Sequence, residues 1–178
     1  MREVIIELHV PQVRAVQARL SPLIRPAVPE DLPYILSTWL RPAWFSPAWR
    51  MIPHDVFFGT YRPVVISLLQ RANTMVACDP ECPEVIWGYA TTEGPYLHWV
   101  HTKANLQGYG VATRLLRDRR IEHISHWTRS YRDTIGSKLP NVTYDPFVLF
   151  FGPNHRRQSN GIRQTRTSEQ NRSRAAQD

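Results

Sequence analysis

The sequence has few cysteines and no arrangement that would let them build a site. Cys78 and Cys82 are the only thiols among 178 residues, so a disulfide framework is excluded. A structural zinc ion needs about four ligands, and no histidine follows the two cysteines at the spacing of a zinc finger. We therefore expect no metal and two free thiols, as in a reducing compartment.

Long apolar runs are also missing. No stretch approaches the ~18 apolar residues of a membrane-spanning helix. The first ten residues, MREVIIELHV, carry two acids and no small-residue cleavage site, which is unlike a secretory signal peptide. These two absences predict a cytoplasmic protein without membrane contact.

Lysine is scarce, although the chain is basic. The net charge is +7, and Lys103 and Lys138 are the only lysines among 22 basic residues. Arginine recognises phosphates through a planar set of donors. The composition therefore fits a protein that binds anionic partners, nucleic acid included. It fits a solvated basic surface equally well. Six arginines follow Pro153 with almost no apolar residues, and we expect 153–178 to be a disordered basic tail.

The remaining chain alternates strand and helix patterns within one domain, 23–152. Residues 1–22 form an extension that fits a strand or a short helix. A helix is expected to begin near Pro29 and end near Arg41, because Pro42 disfavours helix in the residue before it. A second helix over about 55–72 contains Gly59 and Pro63 as interruptions. The predicted strands are 23–27, 74–78, 85–90, 96–101, 126–129 and 147–151, with further helices from 111 through Ile124 and over 131–139.

The strand at 96–101 has a simple expected alternation. Leu97, Trp99 and His101 should lie on one face of the sheet. Tyr96, His98 and Val100 should then lie on the other.

A glycine loop follows this strand and precedes a helix. Gly108 and Gly110 lack Cβ atoms, so an anion can approach the backbone N–H groups at the start of the helix. Thr113 stands where a dinucleotide-binding loop has glycine or alanine, and no Gly-Lys pair of a P-loop is present. The two glycines by themselves also fit an ordinary strand-turn-helix connection.

The run Gln107-Gly108-Tyr109-Gly110-Val111-Ala112 resembles the R/Q-x-x-G-x-G/A motif of the GNAT (GCN5-related) N-acetyltransferase superfamily. The opening 23–32 and the strand ending 86–90 are similar to the family's first elements. The compact, arginine-rich character resembles small phage-encoded members. The resemblance implies an α/β fold: a mixed, mostly antiparallel sheet of six or seven strands with helices on both faces. It also implies transfer of an acetyl or similar group from acetyl-CoA, or another acyl-CoA, to a primary amine by direct attack in a ternary complex.

The resemblance also assigns residues to roles. The strand backbone should hold the pantetheine arm and the loop amides the pyrophosphate; the cofactor-binding residues are Trp99, Val100, His101, Gln107, Gly108, Tyr109, Gly110, Val111, Ala112 and Thr113. The candidates for the base that accepts the amine proton are Glu93, His98 and His101. Tyr131 and Tyr144 are the later tyrosines and so the candidates for the acid, although neither lies in the family's usual sequence context. Thr102 stands where the family often has proline.

Several alternatives stay open at this stage. The acceptor is a small amine, a protein amine or a nucleic-acid amine, and the oligomeric state is not indicated. The aromatic residues Trp39, Trp44, Phe45 and Trp49 either fill the core or contact the acceptor. The rival function is a nucleic-acid-associated binding protein that acts through its arginine-rich surface and tail, or an acyltransferase acting on nucleic acid or a protein bound to it.

Overall fold

Six strands form a single sheet in chain order in the computed structural model, which describes residues 21–47, 49–127, 139 and 141–154. Strands β1 to β4 pair antiparallel, whereas β4–β5 and β5–β6 pair parallel. The predicted mixed, mostly antiparallel sheet is confirmed. Residues 1–20 of the predicted extension, residues 131–138 of the predicted helix (Tyr131 included) and residues 155–178 of the predicted tail lie outside the described residues. The strands are β1 Leu23–Pro26, β2 Asn73–Cys78, β3 Ile86–Glu93, β4 Tyr96–Thr102, β5 His123–Ile124 and β6 Thr143–Tyr144.

Helices cover both faces of the sheet, as expected. Helices α1 (Leu32–Trp44) and α2 (His54–Arg71) bury their apolar sides in one cluster with Val76, Tyr89 and Trp99 of the sheet. Helix α3 (Val111–Leu115) packs on the opposite face, against Ala77, Trp87 and Ala90. None of the helices in the described part of the chain is long and apolar enough to cross a membrane.

The prolines interrupt neither long helix. Helix α1 continues through Pro42 to Trp44, and α2 runs unbroken through Pro63. A proline inside a helix costs about 3 kcal/mol. Burying four large side chains contributes roughly 1.5–3 kcal/mol each, and α2 buries four at helical spacing: Phe57, Tyr61, Val65 and Leu68. Burial therefore outweighs the local penalty, and the predicted helix end at Arg41 and the predicted interruption of the second helix are both wrong.

A β-bulge in β4 changes which side chains share a face. Thr91 pairs with Trp99 but Thr92 pairs with Leu97, so His98 is the extra residue. Leu97 packs with Val100 on the side of α3, while Trp99 stacks on Trp39 of α1. The predicted alternation is wrong here, because the bulge places His98 on the same side as Trp99.

The helix after the glycine loop is shorter than predicted. It ends at Leu115, and Ile124 lies in β5 instead of continuing the helix. The exposed charged run 117–120 offers no apolar side chain to bury another turn. A strand lies at 123–124, and residues 126 and 127 of the strand expected at 126–129 are not in a strand. Residues 128 and 129 lie outside the described residues.

The segment 147–151 is helical instead of forming the predicted buried strand. Helix α4 spans Val148–Phe151 and buries Val148 and Leu149, whereas Phe147, Phe150 and Phe151 are more than half exposed. The carboxylate of Asp145 accepts a hydrogen bond from the Phe147 N–H at 3.2 Å, which favours a turn at this point. The apolar composition alone did not distinguish the two structures.

Candidate active site

Strand β4 has one edge that is only partly paired. Strand β5 pairs with it at Tyr96 and Leu97, and the Ser125 N–H donates to the Leu97 carbonyl at 3.2 Å. Within the described residues no strand accompanies β4 on this side beyond Leu97, although β4 continues to Thr102. The backbone edge at Trp99, Val100 and His101 is the one predicted to hold the pantetheine arm.

The glycine loop lies directly beyond this edge. A 3-10 turn at Ala104–Leu106 leads into Gln107, and α3 begins at Val111. Gly108 and Gly110 have φ angles of 85° and 80°, a region that costs other residues about 1–2 kcal/mol. The backbone conformation itself therefore favours glycine at both positions, in addition to the predicted close approach of an anion.

The loop presents its backbone on the surface. A helix leaves its first N–H groups unpaired, and those of α3 belong to Val111, Ala112 and Thr113, with Val111 buried and Thr113 exposed. An ideal Cβ on Gly108 or Gly110 would meet no atom within 4 Å, so the space beside the loop is open. The Gln107 side chain donates to the Thr102 carbonyl at 3.4 Å, and thus ties the loop to the end of β4.

Five polar side chains lie in series on the other side of the sheet, and hydrogen bonds join four of them. His98 Nε2 is 3.4 Å from Glu93 Oε2, in a geometry that does not qualify as a hydrogen bond. His98 Nδ1 is 3.0 Å from the Ser125 hydroxyl, which is 2.7 Å from His126 Nδ1. His126 Nε2 makes a short hydrogen bond with the Tyr61 hydroxyl.

Burial keeps the two histidines of this series neutral. Burial lowers the pKa of His98 to about 3, with smaller effects from His126 and Arg71. Burial likewise lowers the pKa of His126 to about 4. Both values lie far below the ~6.5 of an ordinary histidine. His98 therefore does not titrate near neutral pH, as an ordinary histidine base would.

Arg71 of α2 organises the Glu93 end of the series. Its Nε lies 3.2 Å from both Glu93 carboxylate oxygens. Its Nη2 donates to the carbonyls of Val148 and Leu149 at 3.0 and 3.3 Å. One guanidinium thus joins the end of β3 to α4.

The other predicted catalytic residues in the described part of the chain, His101 and Tyr144, are not members of the series. The His101 ring lies 6.0 Å from the Tyr34 ring and 5.8 Å from the Tyr89 ring, and burial and the Lys103 charge lower its pKa. Tyr144 lies on β6, about half exposed, with its ring 6.2 Å from that of Trp127. Tyr131 lies outside the described residues.

The four aromatic residues considered for acceptor binding divide into two groups. Trp39 is fully buried and stacks on Trp99 at 5.2 Å, so it belongs to the core. Phe45 and Trp49 are exposed at 59% and 38%, and the Trp49 ring stacks at 5.8 Å on that of Tyr61. Trp44 is half-buried and contacts Phe45.

Sequence reasoning missed Tyr61, Ser125 and His126. Tyr61 repeats at helical spacing with Phe57 and Val65, a pattern that indicates a core residue. The run His123-Ile124-Ser125-His126, with a histidine at each end, was the available signal. It was obscured by the prediction of a continuing helix.

Solved structures of acetyltransferases are similar to this chain, whereas no known family profile and no curated protein matches it. One is a histone acetyltransferase HPA2 and related acetyltransferase from Corynebacterium glutamicum, with 25% identity over 55% of this chain and 69% of that one, at a TM-score of 0.42. A second is a GCN5-related N-acetyltransferase from Rhodopseudomonas palustris, with 19% identity over 55% and 62% and a TM-score of 0.38. A third is AAC(6')-Iy in complex with a CoA-containing bisubstrate analogue, with 16% identity over 66% and 85% and a TM-score of 0.38. The proteins that this chain is similar to thus include GCN5-related N-acetyltransferases, at low identity and over part of their length.

Proposed function

We propose that this chain is an acyl-CoA-dependent N-acyltransferase of the GNAT superfamily. The observation that supports this most is the continuity of two features: the partly paired edge of β4 leads within a few residues into the glycine loop at α3. An extended pantetheine arm can pair with a free strand edge, as peptides do in β-augmentation. A pyrophosphate suits the N–H groups that follow.

The parts of acyl-CoA are distributed along this path. The backbone of Trp99, Val100 and His101 binds the pantetheine arm, and the amides from Gly108 to Thr113 bind the pyrophosphate. The exposed arginines Arg117 and Arg119 follow α3 and add positive charge near the loop. The thioester then lies where β4 and β5 diverge, next to Leu97 and Ser125.

The reaction is direct transfer in a ternary complex. A primary amine has a pKa near 10.4, so it must lose a proton before its lone pair can attack. The nitrogen then forms a bond to the thioester carbonyl carbon, and the C–S bond breaks as the thiolate leaves. The nitrogen gives up its second proton in this step, which balances the proton that the thiolate gains. Glu93, reached through His98, is the proposed destination of the amine proton, and Tyr144 and Tyr131 are the candidates for protonating the thiolate.

Acyl-CoA binding is the first property to test. Acetyl-CoA at about 100 times its Kd should stabilise the folded protein by about 2.7 kcal/mol, so the melting temperature should rise by several degrees. Thiol release with a panel of polyamines, peptides and oligonucleotides then identifies the acceptor class. No thermal shift and no calorimetric signal with acetyl-CoA would contradict the proposal. A steeply salt-dependent affinity for DNA in the same protein would instead favour the nucleic-acid-binding alternative.

A further inference from the structure

The series from Tyr61 to Glu93 runs through the protein interior, and Tyr61 at one end is itself buried. Trp49, 38% exposed, covers Tyr61 at one end. Glu93, with a side chain 16% exposed, lies beside Arg71 at the other. Tyr61 and Arg71 are ten residues apart on α2, about 15 Å at 1.5 Å per residue. Between the two ends, His98 and Ser125 are 2% and 1% exposed.

We propose that Tyr61, His126, Ser125, His98 and Glu93 form a proton relay that carries the proton released by the acceptor amine from beneath Trp49 to Glu93. The relay rests on the proposed acyltransferase function and supplies its route for the proton. Ser125, at its centre, lies where β4 and β5 diverge.

One assignment fixes the direction of the three hydrogen bonds that join His98, Ser125, His126 and Tyr61. A carboxylate only accepts hydrogen bonds, and Glu93 Oε2 lies 3.4 Å from His98 Nε2. We therefore assign the proton of neutral His98 to Nε2, so that its Nδ1 accepts. The Ser125 O–H must then donate to His98, and its oxygen accepts from His126 Nδ1–H. His126 Nε2 is left to accept from the Tyr61 O–H.

The proton shift balances without forming a buried cation. The ammonium gives its proton to the Tyr61 oxygen while Tyr61 gives its own to His126 Nε2. His126 Nδ1 passes a proton to Ser125, and Ser125 passes one to His98 Nδ1. His98 Nε2 passes one to Glu93 once the 3.4 Å contact between them shortens to a hydrogen bond. Both histidines exchange tautomers and stay neutral, as their burial requires. Protonated Glu93 releases the proton to solvent, and the freed amine lone pair forms the bond to the acyl carbon.

The tautomers of the two histidines test the relay without any acyl transfer. In ¹⁵N-histidine-labelled full-length protein at pH 7, long-range ¹H–¹⁵N spectra should show His98 protonated on Nε2 and His126 on Nδ1. His98→Gln and His126→Gln assign the signals. An imidazolium at either position, or protonation of both on Nδ1, would break the series at Ser125 and overturn the proposal.

Removal of single hydroxyls tests the relay during turnover. Ser125→Ala and Tyr61→Phe should each lower kcat by about 10²-fold, a typical contribution of acid–base catalysis, with the KM for acetyl-CoA within twofold of the wild type. Ser37→Ala and Tyr34→Phe are the matched controls in α1 and should keep the wild-type rate. Ser125→Thr, which retains a hydroxyl, should recover most of the loss, and circular dichroism confirms that each variant folds. If Ser125→Ala does not fold, Tyr61→Phe decides the question.

The solvent isotope effect separates proton transfer from a structural role. The wild-type proton inventory in H₂O–D₂O mixtures should be curved, since several protons move together, and Tyr61→Phe should make it linear. Wild-type rates in both hydroxyl variants would overturn the relay. So would an acyl group on Ser125 in a mass spectrum of the quenched enzyme, which would make Ser125 a nucleophile. If the wild-type protein neither binds acetyl-CoA nor transfers its acyl group, the proposed function is wrong and the relay has no amine proton to carry. The tautomers of His98 and His126 would still show whether the hydrogen-bonded series exists.

Discussion

An ideal Cβ on Gly88 would lie 2.4 Å from the carbonyl oxygen of His101. Real Cβ atoms do not approach a backbone atom so closely, so strands β3 and β4 meet at a point where only glycine fits. The close approach holds the C-terminal half of β4, the edge proposed to bind pantetheine.

We predict that Gly88→Ala lowers the free energy of unfolding by about 3 kcal/mol or more, because backbone must move to admit the methyl group. Urea denaturation measures the change. Gly59→Ala is the matched control: Gly59 lies inside α2, and a Cβ there meets nothing within 4 Å. It should stabilise the protein by about 0.5–1 kcal/mol. Equal stabilities for the two alanine variants would show that the strands adjust without cost.

We predict that a valine in the glycine loop weakens acetyl-CoA binding and causes only a small loss of stability. Gly110→Val places a β-branched side chain at a φ of 80° and beside the amides proposed to hold the pyrophosphate. We expect acetyl-CoA affinity to fall at least ~10-fold, equivalent to ~1.4 kcal/mol, while stability falls by about 1–2 kcal/mol. Calorimetry with acetyl-CoA measures the affinity.

Gly94→Val separates backbone strain from ligand contact. Gly94 also has a positive φ, 55°, with open space around it, but it lies in the β3–β4 turn. The two valine variants should lose similar stability, and only Gly110→Val should lose affinity. Unchanged affinity in folded Gly110→Val protein would remove the loop from the proposed binding site.

Because His98 and His126 are buried, we predict that the protein loses stability in mild acid. The folded-state pKa values of His98 and His126 are about 3 and about 4, and the unfolded value is about 6.5. Between pH 6.5 and 4 the unfolded state therefore binds more protons, so the stabilisation is complete above pH 6.5 and is lost as the pH falls. Each histidine contributes a slope of up to about 1.4 kcal/mol per pH unit.

Urea midpoints between pH 5 and 7.5 measure this slope. His98→Gln should reduce it by roughly the share of one group, up to about 1.4 kcal/mol per pH unit. A flat stability profile across this range would mean that His98 and His126 are solvated in the folded protein. The kinetic counterpart is that His98 should not produce a bend in log(kcat/KM) near pH 6 to 7.

We predict that lysine cannot replace Arg71, although both side chains carry a positive charge. Arg71→Lys keeps the charge but cannot reach the Glu93 carboxylate and the Val148 and Leu149 carbonyls together. We expect a loss of about 1–2 kcal/mol of stability, since buried acceptors lose their donor. Thermal denaturation measures it, with Arg62→Lys, exposed on the same helix, as the near-neutral control. A loss no larger than that of Arg62→Lys would show that the contacts to α4 contribute little.

Much of the candidate binding path could be predicted from the sequence, because it depends on local physics. The strand around Val100, the loop from Gln107 to Gly110 and the start of a helix at Val111 are consecutive in the chain. Glycine conformation and helix N-terminal geometry act over a few residues, so a linear pattern is enough to locate them. The strands from β1 to β4 were predicted for the same reason, since their patterns are continuous and bounded by turn residues.

Other features depended on partners that are distant in the sequence. Pro42 and Pro63 lie inside helices because tertiary burial outweighs their local penalty. The segment 147–151 is apolar, and its composition alone fits a strand or a buried helix.

The residues of the proposed relay could be recognised only from the tertiary structure. The bulge at His98 depends on the register of β4 against β3, and it places the imidazole beside Glu93 instead of on the opposite face. Tyr61 comes from α2, and Ser125 and His126 from the segment after β5, so no local pattern connects them. The sequence by itself determined where acyl-CoA is expected to bind, because those groups are neighbours along the chain. The tertiary structure decided which side chains can exchange protons, because hydrogen bonds require an approach of about 3 Å that only packing between separate elements brings about.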